Sequence, residues 1–370
     1  MKETMLTYIN ESPDVLSQNI NNSQSLTKSL VDLYTKQKCH TFWIVACGSS
    51  YNASMCAKSF MMKYLDCHIK VVTPNTFIYE DHRLDDHDIV VVVSQSGCST
   101  NSIDALKKIK ELNHTAIGIT GNINSDFKDY ADILIDYDVG EESVGYVTKG
   151  VVTLTLFFML FALEASLNTG YLCRNKYNEL KEELEKCPSR NARMKDIAVD
   201  FYNRHIKEMT SMSVAYFCGF KQGYGISQEA ALKVGETVKI PSFAYEAEEY
   251  IHGPNLQLTP SYTVFLVDDM QEGSNRIIQI YKATRKITDK VYIVTNNEEV
   301  DDDHAIRLPF DSCIKEPLLM PLYVLPVFQY IAFKTTDDLN KWQKHPLYAE
   351  FKKEANSKTE NIYKIMKNYG

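Results

Sequence analysis

The strongest constraint in this 370-residue sequence is that it repeats itself. Tyr216-Phe217-Cys218-Gly219 follows Val45-Ala46-Cys47-Gly48 at an offset of 171, and residues 264–268 follow residues 90–94 at 174. Val294-Thr295-Asn296 follows Ile119-Thr120-Gly121 at 175. A single match of this kind carries little, because β-branched runs resemble one another. Three in the same order at nearly constant spacing point to an internal duplication. Within the first copy, residues 41–46, 69–73, 89–93, 116–120 and 133–136 read as buried strands, separated by helical patterns such as 54–65 and 101–112. Apolar strands alternating with helices predict βαβ units, a parallel sheet and an α/β fold. The expected segments are a lead-in at 1–25, a first domain at 26–190, a second at 191–334 and a tail at 335–370. The charge-rich stretch 178–193 is the expected join, and a helix over 194–212 leads into the second domain.

Charge narrows the partners. The net charge of −8 disfavours sequence-independent binding to nucleic acid or to an anionic membrane, so an anionic ligand needs a local site. The apolar run 151–163 ends at Glu164 and is shorter than the ~20 residues a span requires. It reads as a helix buried in a core or a subunit interface, and it argues for a homodimer or higher homo-oligomer. Cysteines occur at 39, 47, 56, 67, 98, 173, 187, 218 and 313. Their odd number, the absence of a C-x-x-C pair and an N-terminus without an apolar signal region suit reduced thiols in a cytoplasm.

Two loops carry the chemistry. Cys47-Gly48-Ser49-Ser50-Tyr51 follows the first strand, and Ser94-Gln95-Ser96-Gly97-Cys98-Ser99-Thr100 follows the third; each opens a helix. Ligands of parallel sheets bind beyond the strands' carboxyl ends, and helix N-termini offer free N–H groups that suit phosphate. Ser50, Ser94, Ser96, Ser99 and Thr100 then form a neutral phosphate cradle. One serine alone reads as a helix cap, but two such loops at neighbouring strand ends favour phosphate. The matching loop of the second copy, Asp268-Asp269-Met270-Gln271, carries carboxylates that repel phosphate. Glu229, Lys233 and Glu236 share one helix face at i, i+4 and i+7. That stripe lies either on a solvated, salt-bridged face or in a cleft. His252, in Glu248-Glu249-Tyr250-Ile251-His252-Gly253-Pro254, is either structural or held at a site rim. The scattered histidines show no metal-ligand spacing, and no G-x-G-x-x-G follows the first strand, so neither metal nor nicotinamide cofactor is expected.

These motifs, together with Val147-Thr148-Lys149 and His252-Gly253-Pro254, resemble the sugar isomerase (SIS) domain proteins. The likeness extends over residues 41–333, to the isomerase half of glucosamine-6-phosphate synthase and to the fructosamine-6-phosphate deglycases. The resemblance implies two tandem SIS domains, each a flavodoxin-like three-layer sandwich. It implies that Ser50, Ser94, Gln95, Ser96 and Ser99 hold a sugar phosphate and that Ser49 lies near the sugar. Glu236 moves a proton between C1 and C2, which a glutamate raised in pKa by partial burial performs. His252, from the neighbouring subunit of a dimer, helps open the sugar ring. Lys233 and Glu229 line the site, and Glu142, Thr148 and Lys149 fall on the segment after the last strand of the first domain. The short lead-in is expected to exclude a glutaminase domain, and Lys344-His345-Pro346-Leu347 looks more like the deglycases. The resemblance implies a deglycase acting on a 6-phosphorylated amino sugar or Amadori compound, with a glucosamine-6-phosphate isomerase/deaminase and a non-catalytic sugar-phosphate-binding regulator as the alternatives. A tail lysine such as Lys358 reads first as a solvated charge, with entry into the site as the alternative.

Overall fold

The structure is a computed structural model that describes residues 3–309 and 314–362. Cys313 and the tail residues 363–370 lie outside the described residues. In chain order the first half runs α1 (Met5–Asn21), α2 (Ser23–Gln37), β1 (Thr41–Val45), α3 (Ser49–Tyr64), β2 (His68–Val72), α4 (Pro74–Tyr79), β3 (Ile89–Val93) and α5 (Thr100–Glu111). It continues with β4 (Ile117–Thr120), α6 (Phe127–Tyr130), β5 (Ile133–Asp136) and α7 (Lys149–Thr169). The strands form one parallel sheet in the order β2-β1-β3-β4-β5. β3 explains why: Ile-Val-Val-Val-Val is β-branched throughout and buried at every position, as a strand covered on both faces requires.

The stretch expected to join the copies contains the division between the two units, at Leu180/Lys181, and is helical. It is part of one 31-residue helix, α8 (Arg174–Arg204), which carries Pro188 within it and is followed by the short α9 (Ile206–Thr210). The second half then runs β6 (Val214–Gly219), α10 (Lys221–Thr237), β7 (Ser242–Glu246), α11 (Ala247–Ile251), β8 (Tyr262–Val267) and α12 (Ser274–Thr284). After these come β9 (Val291–Val294), β10 (Ala305–Ile306), α13 (Pro321–Asp338) and α14 (Tyr348–Glu354). Its sheet is also parallel, in the order β10-β9-β8-β6-β7. Read from the other edge, that is the connectivity of the first sheet again, so the duplication seen in the sequence is a duplication of fold.

The chain divides into two compact units that interleave along the sequence. One comprises Val15–Ser54, Phe60–Leu180 and 343–362; the other comprises 3–14, Met55–Ser59 and Lys181–Trp342. The expected segments were 1–25, 26–190, 191–334 and 335–370. In the structure the end of the chain groups with the first sheet and the beginning with the second.

Among the described residues two helices are long and apolar enough to cross a bilayer, Lys149–Thr169 and Pro317–Asp338, and both are 94% buried in the protein itself. Each is the core helix of its unit. In α7, Phe161 packs between Tyr34 and Phe42, with ring centroids at 5.7 and 5.0 Å. In α13, Phe328 meets Phe217 and Phe265 edge-on at 5.6 and 5.7 Å. The apolar run at 151–163 is therefore covered without a second subunit. Its one carboxylate, Glu164, is buried and accepts hydrogen bonds from Ser23 Oγ (2.7 Å) and Tyr177 OH (2.9 Å). Gly170, at φ 74°, ends the helix by donating to the Leu167 carbonyl.

Phe161→Ala empties a fully buried site between two aromatic rings and is expected to cost about 3–5 kcal/mol. Urea unfolding of the full chain measures this; a loss under about 1 kcal/mol would show that the first core is not organised around this ring.

Candidate phosphate site and carboxylate helix

In a sheet of order 2-1-3-4-5, the chain leaves β1 and β3 in opposite directions. The crevice between their carboxyl ends is where ligands bind. Both serine loops of the first half open there. Cys47-Gly48 turns out of β1 with Gly48 at φ 59°, and α3 begins at Ser49. Ser49 is buried and Ser50 half-buried, with the Ser50 carbonyl accepting from Ser54 Oγ at 2.8 Å. After β3, Ser94 Oγ and Ser99 Oγ stand 3.0 Å apart and Ser96 Oγ accepts from the Cys98 N–H at 3.4 Å. Gly97 makes this turn possible. It sits at φ 60°, and a Cβ there would lie 1.8 Å from Ser125 Oγ and 2.9 Å from Thr120 Oγ1.

The group at the centre of these hydroxyls is a cation. Lys358 Nζ donates to Ser96 Oγ at 2.8 Å and to Ser99 Oγ at 2.7 Å. This corrects two expectations: Lys358 is not a solvated tail charge, and the hydroxyl set is not neutral. The strand-like segment around it is pinned on both sides. The Thr100 N–H donates to the Ser357 carbonyl (3.1 Å) and the Thr359 N–H to the Cys98 carbonyl (2.9 Å). Asp126 accepts from Thr359 Oγ1 and, at 2.9 Å, from Asn361 Nδ2. Burial holds the Lys358 amine below its ordinary pKa, since the charged form loses hydration there.

Gln95 and Thr148 go elsewhere. Gln95 Nε2 donates to Glu142 Oε2 at 2.7 Å, and the Thr148 hydroxyl donates to the Tyr146 carbonyl at 2.8 Å. Glu142 caps α7, accepting from the N–H groups of Thr148 (2.6 Å), Lys149 (3.0 Å) and Gly150 (3.0 Å). Burial raises its pKa, against the pull of those donors. A Cβ at Gly150 would stand 2.0 Å from Gln95 Oε1, so the helix start and the glutamine fit each other closely. Gln95 and Thr148 are placed to shape the loop behind the serines.

In the other unit, α10 carries the charged stripe, and it is not a solvated face. Glu229 and Lys233 side chains are each 1% exposed, with Lys233 Nζ 3.4 Å from Glu229 Oε1. Glu236, 30% exposed, is hydrogen-bonded to Lys233 Nζ. Of the two carboxylates only Glu236 is open to solvent and so to a substrate. His252 ends α11 in an exposed turn, with Nδ1 2.7 Å from the Glu248 carbonyl, ahead of Leu256 at 86% exposure. In the loop that mirrors the serine cradle, Asp268 accepts from Thr295 Oγ1 (2.6 Å), Ser274 Oγ (2.9 Å) and the Met270 N–H (2.9 Å). A buried carboxylate thus fills the second sheet's switch point with its own hydrogen-bond acceptor.

Residues 36–163 match the SIS domain family. The chain is 25% identical over 354 residues to the glutamine–fructose-6-phosphate aminotransferase (isomerizing) of Clostridium tetani, covering 91% of this chain and 57% of that protein. It spans about half the length of the curated relatives it matches. Among solved structures, the C-terminal domain of glucosamine-fructose-6-phosphate aminotransferase from Francisella tularensis superposes with a TM-score of 0.82 at 24% identity, covering 94% of this chain and 99% of that one. Glucosamine-6-phosphate deaminase from Thermotoga maritima superposes with a TM-score of 0.70 at 20% identity, covering 90% and 94%. These structural likenesses carry the fold.

Gly97→Ala forces a side chain into the left-handed region and against Ser125, and is expected to destabilise the chain by roughly 2–4 kcal/mol. Chemical denaturation reads the loss; an unchanged midpoint would mean that the serine loop relaxes freely and is not a shaped site.

Proposed function

We propose that this chain, a SIS-domain protein through its residues 36–163, is an isomerase-type enzyme acting on a 6-phosphorylated sugar. The observation that carries the reading is the convergence of Ser94, Ser96 and Ser99 hydroxyls with an ammonium at the carboxyl end of β3. Hydroxyls, a helix N-terminus and one fixed cation are what a phosphate monoester requires for recognition. The relatives' names, each a 6-phosphosugar enzyme, point the same way.

The finer reading takes a 6-phosphorylated ketosamine as substrate. Glu236 removes a proton from C1, giving an enaminol between C1 and C2. Return of the proton to C2 leaves a C1 imine, which water hydrolyses to hexose 6-phosphate and free amine. Lys233, hydrogen-bonded to Glu236, supplies the positive charge that stabilises the developing oxyanion. Ring opening falls to His252, with the chain assembled as a homodimer; its exposed turn and the bare Leu256 suit that assembly. The free thiols of the eight described cysteines suit a cytoplasmic setting. The same residues serve a deaminating isomerase, which the Thermotoga maritima likeness favours.

A turnover screen tests this. Glucose 6-phosphate released from fructoselysine 6-phosphate supports the deglycase, and fructose 6-phosphate plus ammonia from glucosamine 6-phosphate supports the deaminase. Absence of turnover on every 6-phosphosugar would remove the enzymatic reading. Glu236→Gln is expected to lower kcat by about 10²–10⁴-fold while phosphosugar affinity stays within a few-fold; a fully active variant would take Glu236 out of the mechanism. Ser96→Ala with Ser99→Ala is expected to weaken 6-phosphosugar binding by about 10-fold or more in calorimetry, and an unchanged affinity would overturn the phosphate assignment.

A further inference from the structure

Apart from the serine loops, the unit of the first sheet holds a cavity of about 530 Å³, and every residue lining it belongs to that unit. Small-molecule sites typically measure ~300–1,000 Å³. Glu164, only 3% exposed, lines it together with Val31 and Leu167, while Lys28, Asp32 and Arg174 are its exposed charges. Glu164 Oε1 accepts from both Ser23 Oγ and Tyr177 OH. Tyr177 stays a donor, because burial and that carboxylate push its pKa up to about 12. Among the described residues no donor meets Glu164 Oε2, and no cation stands within ion-pair distance of the carboxylate. A buried carboxylate without a counter-charge is costly, and a cationic group entering the cavity lowers that cost.

We infer that this cavity is a second binding site, for a small zwitterion of the amino-acid class, with the ligand's ammonium on Glu164 Oε2 and its carboxylate at Arg174. The inference does not rest on the phosphosugar reading, since none of these residues serves there. Arg174 pairs with no carboxylate among the described residues and lies over the Tyr177 ring, 5.5 Å from its centroid. The same Tyr177 donates to Glu164, so one phenol ties the guanidinium and the carboxylate to the same cavity. Arg174 is also the first residue of the 31-residue α8, where the helix's partial positive charge favours an anion. A guanidinium offers a carboxylate two parallel N–H donors. The other lining charges match each other, with Lys28 Nζ 2.7 Å from Asp32. One unmatched anion and one unmatched cation therefore remain, and a ligand carrying both signs matches both. A simple cation would leave Arg174 unmatched, and a simple anion would meet Glu164. Val31 and Leu167 give the ligand's carbon stem an apolar surface.

The test is a thermal-shift screen of the full chain against the standard L-amino acids, with each hit titrated by calorimetry and with methylamine and acetate as probes carrying one charge each. At least one amino acid is expected to bind, and methylamine and acetate are each expected to bind about 10-fold more weakly or worse. Glu164→Gln and Arg174→Met are each expected to weaken the amino acid by about 10-fold or more, since each removes one charge-assisted hydrogen bond. Arg174 is exposed, so Arg174→Met decides the matter even where Glu164→Gln disturbs the core around α7. Binding of none of the amino acids would overturn the inference. So would full affinity in either folded variant, which would put the ligand elsewhere on the chain. Acetate or methylamine binding as tightly as the amino acid would overturn it too, because the cavity would then read a single charge.

Discussion

A parallel sheet cannot turn back on itself with a hairpin. Every strand must return through a crossover, so every strand points the same way and all carboxyl ends lie at one edge. The rest of this protein depends on that constraint. It buries the strands on both faces, which is why β3 is unbroken Ile and Val. It also gathers the loops after β1 and β3 on either side of the point where the connections reverse. Helix N-termini at that edge present N–H groups to whatever enters. A binding place for an anion follows from the topology before any particular side chain is considered.

The duplication shows how side chains then decide what such a place does. The first copy puts serine hydroxyls at its switch point and brings a lysine to them. The second puts Asp268 in the corresponding loop and satisfies it with Thr295, Ser274 and a backbone N–H. Burial raises that carboxyl above its ordinary pKa, and a site already filled by its own acceptor has nothing to offer a phosphate. The chemistry of the second copy lies instead along α10, where Lys233 is flanked by one buried carboxylate and one open one. Packing sets that difference. A buried lysine between two glutamates is a compensated cluster, and the more open member is left to react.

Much of this was legible in the sequence, because it depends on neighbours along the chain. Strand positions followed from β-branched runs, and the two sheets from their order. The proximity of Ser94, Ser96 and Ser99 followed from a single loop, and the stripe Glu229, Lys233, Glu236 from helical spacing. These features involve residues within a turn or two of one another, where backbone geometry alone sets the distance.

What tertiary structure alone decided involves residues far apart in the chain. Lys358 and Ser96 are 262 positions apart, and no local pattern distinguishes Lys358 from the other lysines of a polar tail. Its place is set by Asp126, Cys98 and Thr100, which fix the strap on either side. The family resemblance assigns Gln95 to the sugar phosphate and places Thr148 on the segment after the last strand of the first domain. The fold turns the Gln95 side chain and the Thr148 N–H to Glu142, since the start of α7 has unpaired N–H groups to satisfy and the buried carboxylate needs donors, while the Thr148 hydroxyl goes to the Tyr146 carbonyl. The stretch at 178–193 read as a join because it is charged, and the units divide within it; that it is also helical follows because charge on an exposed face costs a helix nothing. The sequence determined the two sheets and the hydroxyls at their edge. The long-range contacts decided which charge sits among those hydroxyls, because an ammonium's position depends on what pins its backbone.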